Sequence, residues 1–138
     1  MVMKLPEEAM TASLDLRLRI LKNTAKRRKI SWQLSDYVAC QFLFSNCFYC
    51  GLPPSASFSR YKNRDGTLTQ SGRQSSAMAV NNGTIYTNGI DRIDNSLGYL
   101  QSNCVACCWA CNLAKGDRTP KEFKEWLIRI FNHQTFVS

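Results

Sequence analysis

Two Cys-x-x-Cys pairs set far apart in the chain, Cys47-Phe48-Tyr49-Cys50 and Cys108-Trp109-Ala110-Cys111, constrain its fold more than any other feature. Two tight thiolate turns brought together supply the four sulfurs of a tetrahedral zinc site, and such a closed shell is structural because it leaves no position for water. The chain must then fold so that these two turns meet. A rival second knuckle, Cys104-Val105-Ala106-Cys107, has the same internal spacing. A helix that can start directly from Cys108/Cys111, through Leu113, Ala114 and Lys115 to Gly116, favours the later pair. Cys40 has no neighbour at ligand spacing and reads as a small buried hydrophobe. Seven cysteines are an odd number for a disulfide framework, and the opening MVMKLPEEAM lacks the apolar run of a secretory signal. Both points place the chain in a reducing, intracellular setting, the cytoplasm, as a soluble protein. No stretch approaches the roughly 18 apolar residues of a membrane span, so a membrane partner is not expected.

The flanking segments read as helices. Leu14, Leu18, Leu21 and Ala25 make a stripe at helical spacing from about Ser13 to Lys29, and Arg19, Lys22, Lys26 and Lys29 follow another line. With Arg27 and Arg28 this segment forms a basic N-terminal arm, residues 1–29, ahead of a domain over 30–138. Ser35 can cap a short helix over 36–44. From about 53 to 88 the composition turns to Ser, Asn, Gly, Gln and Thr, which reads as a mobile polar insertion with a short strand at 84–87. Arg60, Lys62, Arg64 and Arg73 in that insertion, interleaved with Phe58 and Tyr61, could track a phosphate backbone. Thr119, Pro120 and Glu122 form a capping box with proline at the first helical position. Phe123, Trp126, Leu127 and Ile130 then continue at i, i+3, i+4 and i+7, an aromatic core stripe on a helix ending near His133. A net charge of +8 favours a polyanionic partner, since cations that neutralise phosphates release condensed counterions.

Between the knuckles lies Gly89-Ile90-Asp91-Arg92-Ile93-Asp94-Asn95, and Asn112 follows the last cysteine directly. Asp91, Asp94 and the Asn112 side-chain carbonyl are hard oxygen donors suited to a second, divalent ion. Taken together, the first CxxC, the run GIDRIDNSLGY, and the pattern N-x4-C-x-x-C-N-x-x-K resemble the HNH (His-Me finger, ββα-metal) endonucleases, especially the zinc-stapled phage and homing types. The similarity covers roughly residues 26–126 apart from the insertion.

The resemblance implies an α+β fold with a small zinc-stapled ββα-metal core and flanking N- and C-terminal helices. It also implies a DNA partner, with a homodimer as a further assembly, and phosphodiester hydrolysis. Carried over, Cys47, Cys50, Cys108 and Cys111 match the Zn2+ ligands. Asp91 and Asn112 match the ligands of a catalytic Mg2+ or Mn2+, Asn103 the middle Asn of the motif, and Lys115 a commonly basic helix position. The basic residues Arg19, Lys22, Lys26, Arg27, Arg28 and Lys29 would grip DNA phosphates. The sequence departs from the family at Arg92, which stands where the general-base His does. An arginine stays protonated and cannot activate water. Asp94 could take the proton, Arg92 could clamp the phosphate while solvent accepts it, or the sole histidine, His133, could swap in. The remaining alternative is a catalytically inactive, zinc-stapled DNA-binding module.

Overall fold

Helix α1 (Pro6–Arg27) is a spine that two small cores share. The computed structural model describes residues 6–134, so the leaderless reading of the N-terminus falls partly outside the described residues. One face of the C-terminal half of α1 buries Leu18 and Ala25. Leu18 packs with Leu34, with Ala39 and Leu43 of α2 (Asp36–Leu43), and with Ile90 and Cys104. The Ser35 side chain caps α2 by accepting from Val38 N–H, as the sequence pattern predicts.

The N-terminal half of α1 uses Ala9 and Ser13 against the segment read as a mobile insertion, which is instead folded. It contains β1 (Ala56–Ser59), the short helices α3 (Gln70–Arg73) and α4 (Ala77–Asn82), and β2 (Thr84–Thr87). Strands β1 and β2 pair antiparallel, with Phe58 opposite Ile85. Tyr61, buried at 1% exposure with Ala9, Ala79 and Val80, is the anchor that a reading by composition misses. A Cβ at Gly72 would lie 2.1 Å from the Tyr61 carbonyl oxygen, and one at Gly83 would lie 2.3 Å from its ring, so both glycines permit that close approach. The buried Ser13 hydroxyl donates to the Gly83 carbonyl and accepts from the Arg60 N–H, tying α1 to the insertion. Among the described residues, buried Tyr61 Oη has no hydrogen-bond partner. Tyr61→Phe is therefore expected to hold or raise the melting temperature, because an unsatisfied hydroxyl costs about 1 to 3 kcal/mol. A fall of several degrees would count against this packing.

The second sheet positions the chemistry. Strands β3 (Gly89–Arg92) and β4 (Cys104–Cys107) pair antiparallel, with Asp91 opposite Val105, and α5 (Trp109–Lys115) follows at once to make a ββα unit. A 3-10 turn at Gln101–Asn103 leads into β4.

Helix α6 (Pro120–His133) has the expected capping box, in which Thr119 and Glu122 bond each other's backbone N–H groups. The expectation that its apolar stripe is core needs correction. Phe123 is buried against Tyr49 and Trp126 stacks on Phe123, but Leu127 and Ile130 are exposed at 46% and 36%. The reason is geometric: the first turn of α6 meets the knuckle through Phe123, and Leu127 and Ile130 lie further along the helix. Among the described residues, no helix is long and apolar enough to cross a membrane.

Candidate functional site

The Sγ atoms of Cys47, Cys50, Cys108 and Cys111 all lie within 4.8 Å of one another. Cys50 and Cys108 are 3.7 Å apart, close to the roughly 3.8 Å edge of a tetrahedron built on metal–sulfur bonds of about 2.3 Å. Donor type and spacing fit zinc. Secondary structure decides between the two competing knuckles. Residues three apart on a strand point to opposite faces, and Cys104 and Cys107 sit at the two ends of β4. Cys104 accordingly joins the Leu18 core, while Cys107 lies buried beside the cluster and donates to the Cys108 carbonyl. Cys108 is the N-cap of α5 and Cys111 lies in its first turn, which brings both sulfurs to one side. The first knuckle is fixed to the sheet by Phe48 N–H donating to the Ala106 carbonyl at 2.8 Å. Although burial opposes ionisation of Cys47, backbone N–H groups at Cys108, Cys50 and Tyr49 bring its thiol down to about 6. Burial and the neighbouring Cys108 and Cys50 hold Cys111 well above the usual thiol range. A metal must therefore displace a proton there.

Beside the cluster, Asp91 projects from β3 and Asn112 from α5 into one pocket of about 100 Å³. Asp91 is buried, and both of its partners fall on a single oxygen. Tyr49 Oη donates to Oδ2 at 2.8 Å and Lys115 Nζ stands 3.2 Å from the same atom. Among the described residues Oδ1 has no hydrogen-bond or ion-pair partner. Burial and the bond to Asp91 push the Tyr49 phenol far up, so it remains a donor. Lys115 is fully buried, donates also to the Arg92 carbonyl, and is not among the residues that line the pocket.

Arg92 lines the pocket with Arg28, Asn95 and Tyr99. One guanidinium nitrogen donates to the carbonyls of Asn95 and Leu97, at 2.9 and 2.8 Å, and the group lies 5.5 Å from the centre of the Tyr99 ring. Asn103 holds the same turn from inside: its Oδ1 accepts from Asp94 N–H, and its Nδ2 donates to the carbonyls of Asp94 and Gly98. Asp94 is not among the residues that line the pocket. Its carboxylate accepts from the Ser96 hydroxyl and N–H, and those bonds lower its pKa and make it a weaker base. Asp117, which sequence reasoning missed, lines the pocket and accepts a long hydrogen bond from Asn95 Nδ2 at 3.4 Å. The only sequence signal for it was the Gly116 that ends α5 at positive φ and turns the chain back. His133 lies at the exposed end of α6, outside the pocket lining.

The six basic residues expected to contact DNA are dispersed. Lys22 is paired with Asp36 at 2.5 Å. Arg28 reaches the Asp91 pocket, whereas Arg19 and Lys26, offset by about half a turn at about 100° per residue, lie on the other side of α1.

No family model matches the chain. An uncharacterised protein of Acanthamoeba polyphaga mimivirus is 29% identical over 123 residues, which is 89% of this chain. The chain spans 18% of that relative's length. Among solved structures it is similar to PacI, described as a rare-cutting HNH restriction endonuclease that perturbs DNA. The match covers 86% of this chain and 77% of the other, at 18% identity and a TM-score of 0.54. The α+β fold is thus shared with an HNH endonuclease, and in this chain a cysteine cluster that could hold a metal lies beside the ββα unit.

Proposed function

We propose that the chain is a metal-dependent DNA endonuclease that hydrolyses phosphodiester bonds. The observation that carries this reading is that Asp91 and Asn112 line one pocket beside the four-cysteine cluster. Oxygen donors of this kind suit Mg2+ or Mn2+ better than zinc, whose place is the thiolate cluster. Asp91 and Asn112 would hold the divalent ion, with Asp117 close by. When bound, that ion supplies Lewis-acid polarisation of the scissile phosphate and lowers the pKa of water.

The chain's own residues do the rest. Tyr49 and Lys115 fix Asp91 by one oxygen and leave the other free to bind the ion. Arg92, clamped by two carbonyls, holds a permanent positive charge at the wall, where charge develops on the phosphate. Asn103 keeps that turn rigid. The proton from the attacking water goes to solvent or to a carboxylate, and Asp117 is the carboxylate in the pocket that Asp94 is not.

A second reading, a DNA-binding module without cleavage, is favoured by one observation: no histidine lines the pocket, and Arg92 stands there instead. Nicking of supercoiled plasmid in Mg2+ or Mn2+ separates the two. Asn112 is exposed on α5, so Asn112→Ala spares the core, and it is expected to slow nicking about a hundredfold or more. Wild-type protein that binds DNA in a salt-dependent way, yet cuts supercoiled, branched and single-stranded substrates no faster than Asn112→Ala, would establish the silent module.

A further inference from the structure

Helix α1 and the folded insertion enclose a second cleft of about 560 Å³. Arg17 from α1 and Arg60, Lys62 and Arg64 from the insertion line it, with Phe58 and Tyr86, and no Asp or Glu does. Among the described residues none of these four cations is in an ion pair. The Arg17 guanidinium lies 5.7 Å from the centre of the Phe58 ring, and burial together with the Arg64 charge lowers its pKa. The fold thus gathers like charges in a concave site with no counter-charge of its own, which favours an anion from outside. Tyr86, 57% exposed at the same site, adds a flat, amphipathic surface.

The cleft is connected to the Asp91 pocket through α1. Arg17, Leu21 and Thr24 fall at i, i+4 and i+7 on one face of α1, and Arg28, at i+11 in the turn just past its end, continues that line with its N–H bonded to the Thr24 carbonyl at 3.0 Å. Arg17 lines the cleft at one end and Arg28 lines the Asp91 pocket at the other. At about 1.5 Å per residue they stand roughly 16 Å apart along the axis. That distance matches about five nucleotides of one strand at about 3.4 Å each.

We propose that this cleft is a second nucleic-acid contact, seating the DNA backbone about five nucleotides from the phosphate held at Asp91 and Asn112. The identity of the polyanion rests on the proposed function, but the contact itself does not depend on cleavage. Sequence-independent backbone binding is its role, because cations on phosphates fix position without reading bases.

The test is fluorescence anisotropy with a labelled duplex and no added divalent ion, over a range of salt concentrations. It compares wild type with the triple variant Arg60→Gln, Lys62→Gln, Arg64→Gln. A charge-matched control carries Lys121→Gln, Lys124→Gln, Arg129→Gln on α6. The cleft variant is expected to bind about tenfold more weakly or worse, and to lose about two to three from the slope of log affinity against log salt. The control should stay near wild type. Should the triple variant fold poorly by circular dichroism, Arg64→Glu alone, on an exposed side chain, must weaken binding in the same direction. Equal affinity and slope in cleft variant and wild type, an equal loss in the control, or a wild type that does not bind DNA would overturn the proposal. A wild type that binds through the cleft but cuts nothing in Mg2+ overturns the nuclease reading alone.

Discussion

Stripping the metal from the four-cysteine cluster is expected to unfold the ββα unit and with it most of the chain. The two-stranded sheets β1–β2 and β3–β4 are each marginal alone. The cores beside them hold few large buried side chains. The cluster ties the turn after α2 to the start of α5, across the whole insertion, and Tyr49 inside the first knuckle holds both Asp91 and the Phe123 anchor of α6. Zinc bound by four thiolates contributes about 10 to 16 kcal/mol in small peptides, comparable with the whole stability of an ordinary domain, about 5 to 15 kcal/mol. Phenanthroline treatment, or Cys108→Ser, should therefore abolish the cooperative thermal transition. Metal analysis of the purified protein should find one zinc per chain. Cys107→Ala is the control, since its sulfur is buried beside the cluster but outside it; it should cost about 1 kcal/mol and leave zinc content unchanged. A zinc-free preparation with an undiminished transition would sink the structural role.

The parts of this fold legible in the sequence are those whose physics is local. The capping box of α6 and the Ser35 cap of α2 are each written within four residues, and both form. Spacing leaves Cys104/Cys107 as a rival to Cys108/Cys111, which the helix starting there and the family resemblance favour; β4, by turning Cys104 and Cys107 to opposite sides, removes the rival. The insertion was opaque because its anchors, Tyr61, Ala79, Val80 and Ile85, are isolated along the chain. They become a core only when Ala9 and Ser13 arrive from α1, a contact with no local signature. The apolar stripe of α6 was misleading for the converse reason: periodicity gives a face but says nothing about whether anything covers it. At the candidate centre Asp91, Asp94 and Asn112 read as oxygen donors from the sequence, and of the three only Asp91 and Asn112 line the pocket. The environment of Asp91 was not legible, because Tyr49 and Lys115 reach it from elements distant in sequence.

That environment makes Asp91→Ala the second large effect expected. Lys115 Nζ has no exposure, and its partners are Asp91 Oδ2 and the Arg92 carbonyl. Removing the carboxylate leaves a buried cation without a counter-charge, at about 3 to 5 kcal/mol. The exposed pair Lys22–Asp36, with side chains 41% and 65% accessible, should by contrast contribute less than about 1 kcal/mol. Urea denaturation of Asp91→Ala, Lys115→Met and the double variant measures the coupling. The double variant should recover at least about 2 kcal/mol relative to Asp91→Ala, because it removes the stranded charge and replaces it with an apolar side chain. A cost below about 1 kcal/mol for Asp91→Ala would mean that the pair is not buried in solution as it is here. The same three proteins decide what Asp91 is for. If its carboxylate serves only to neutralise Lys115, the double variant regains nicking along with stability. If its free Oδ1 serves the chemistry, the double variant regains stability and stays inactive.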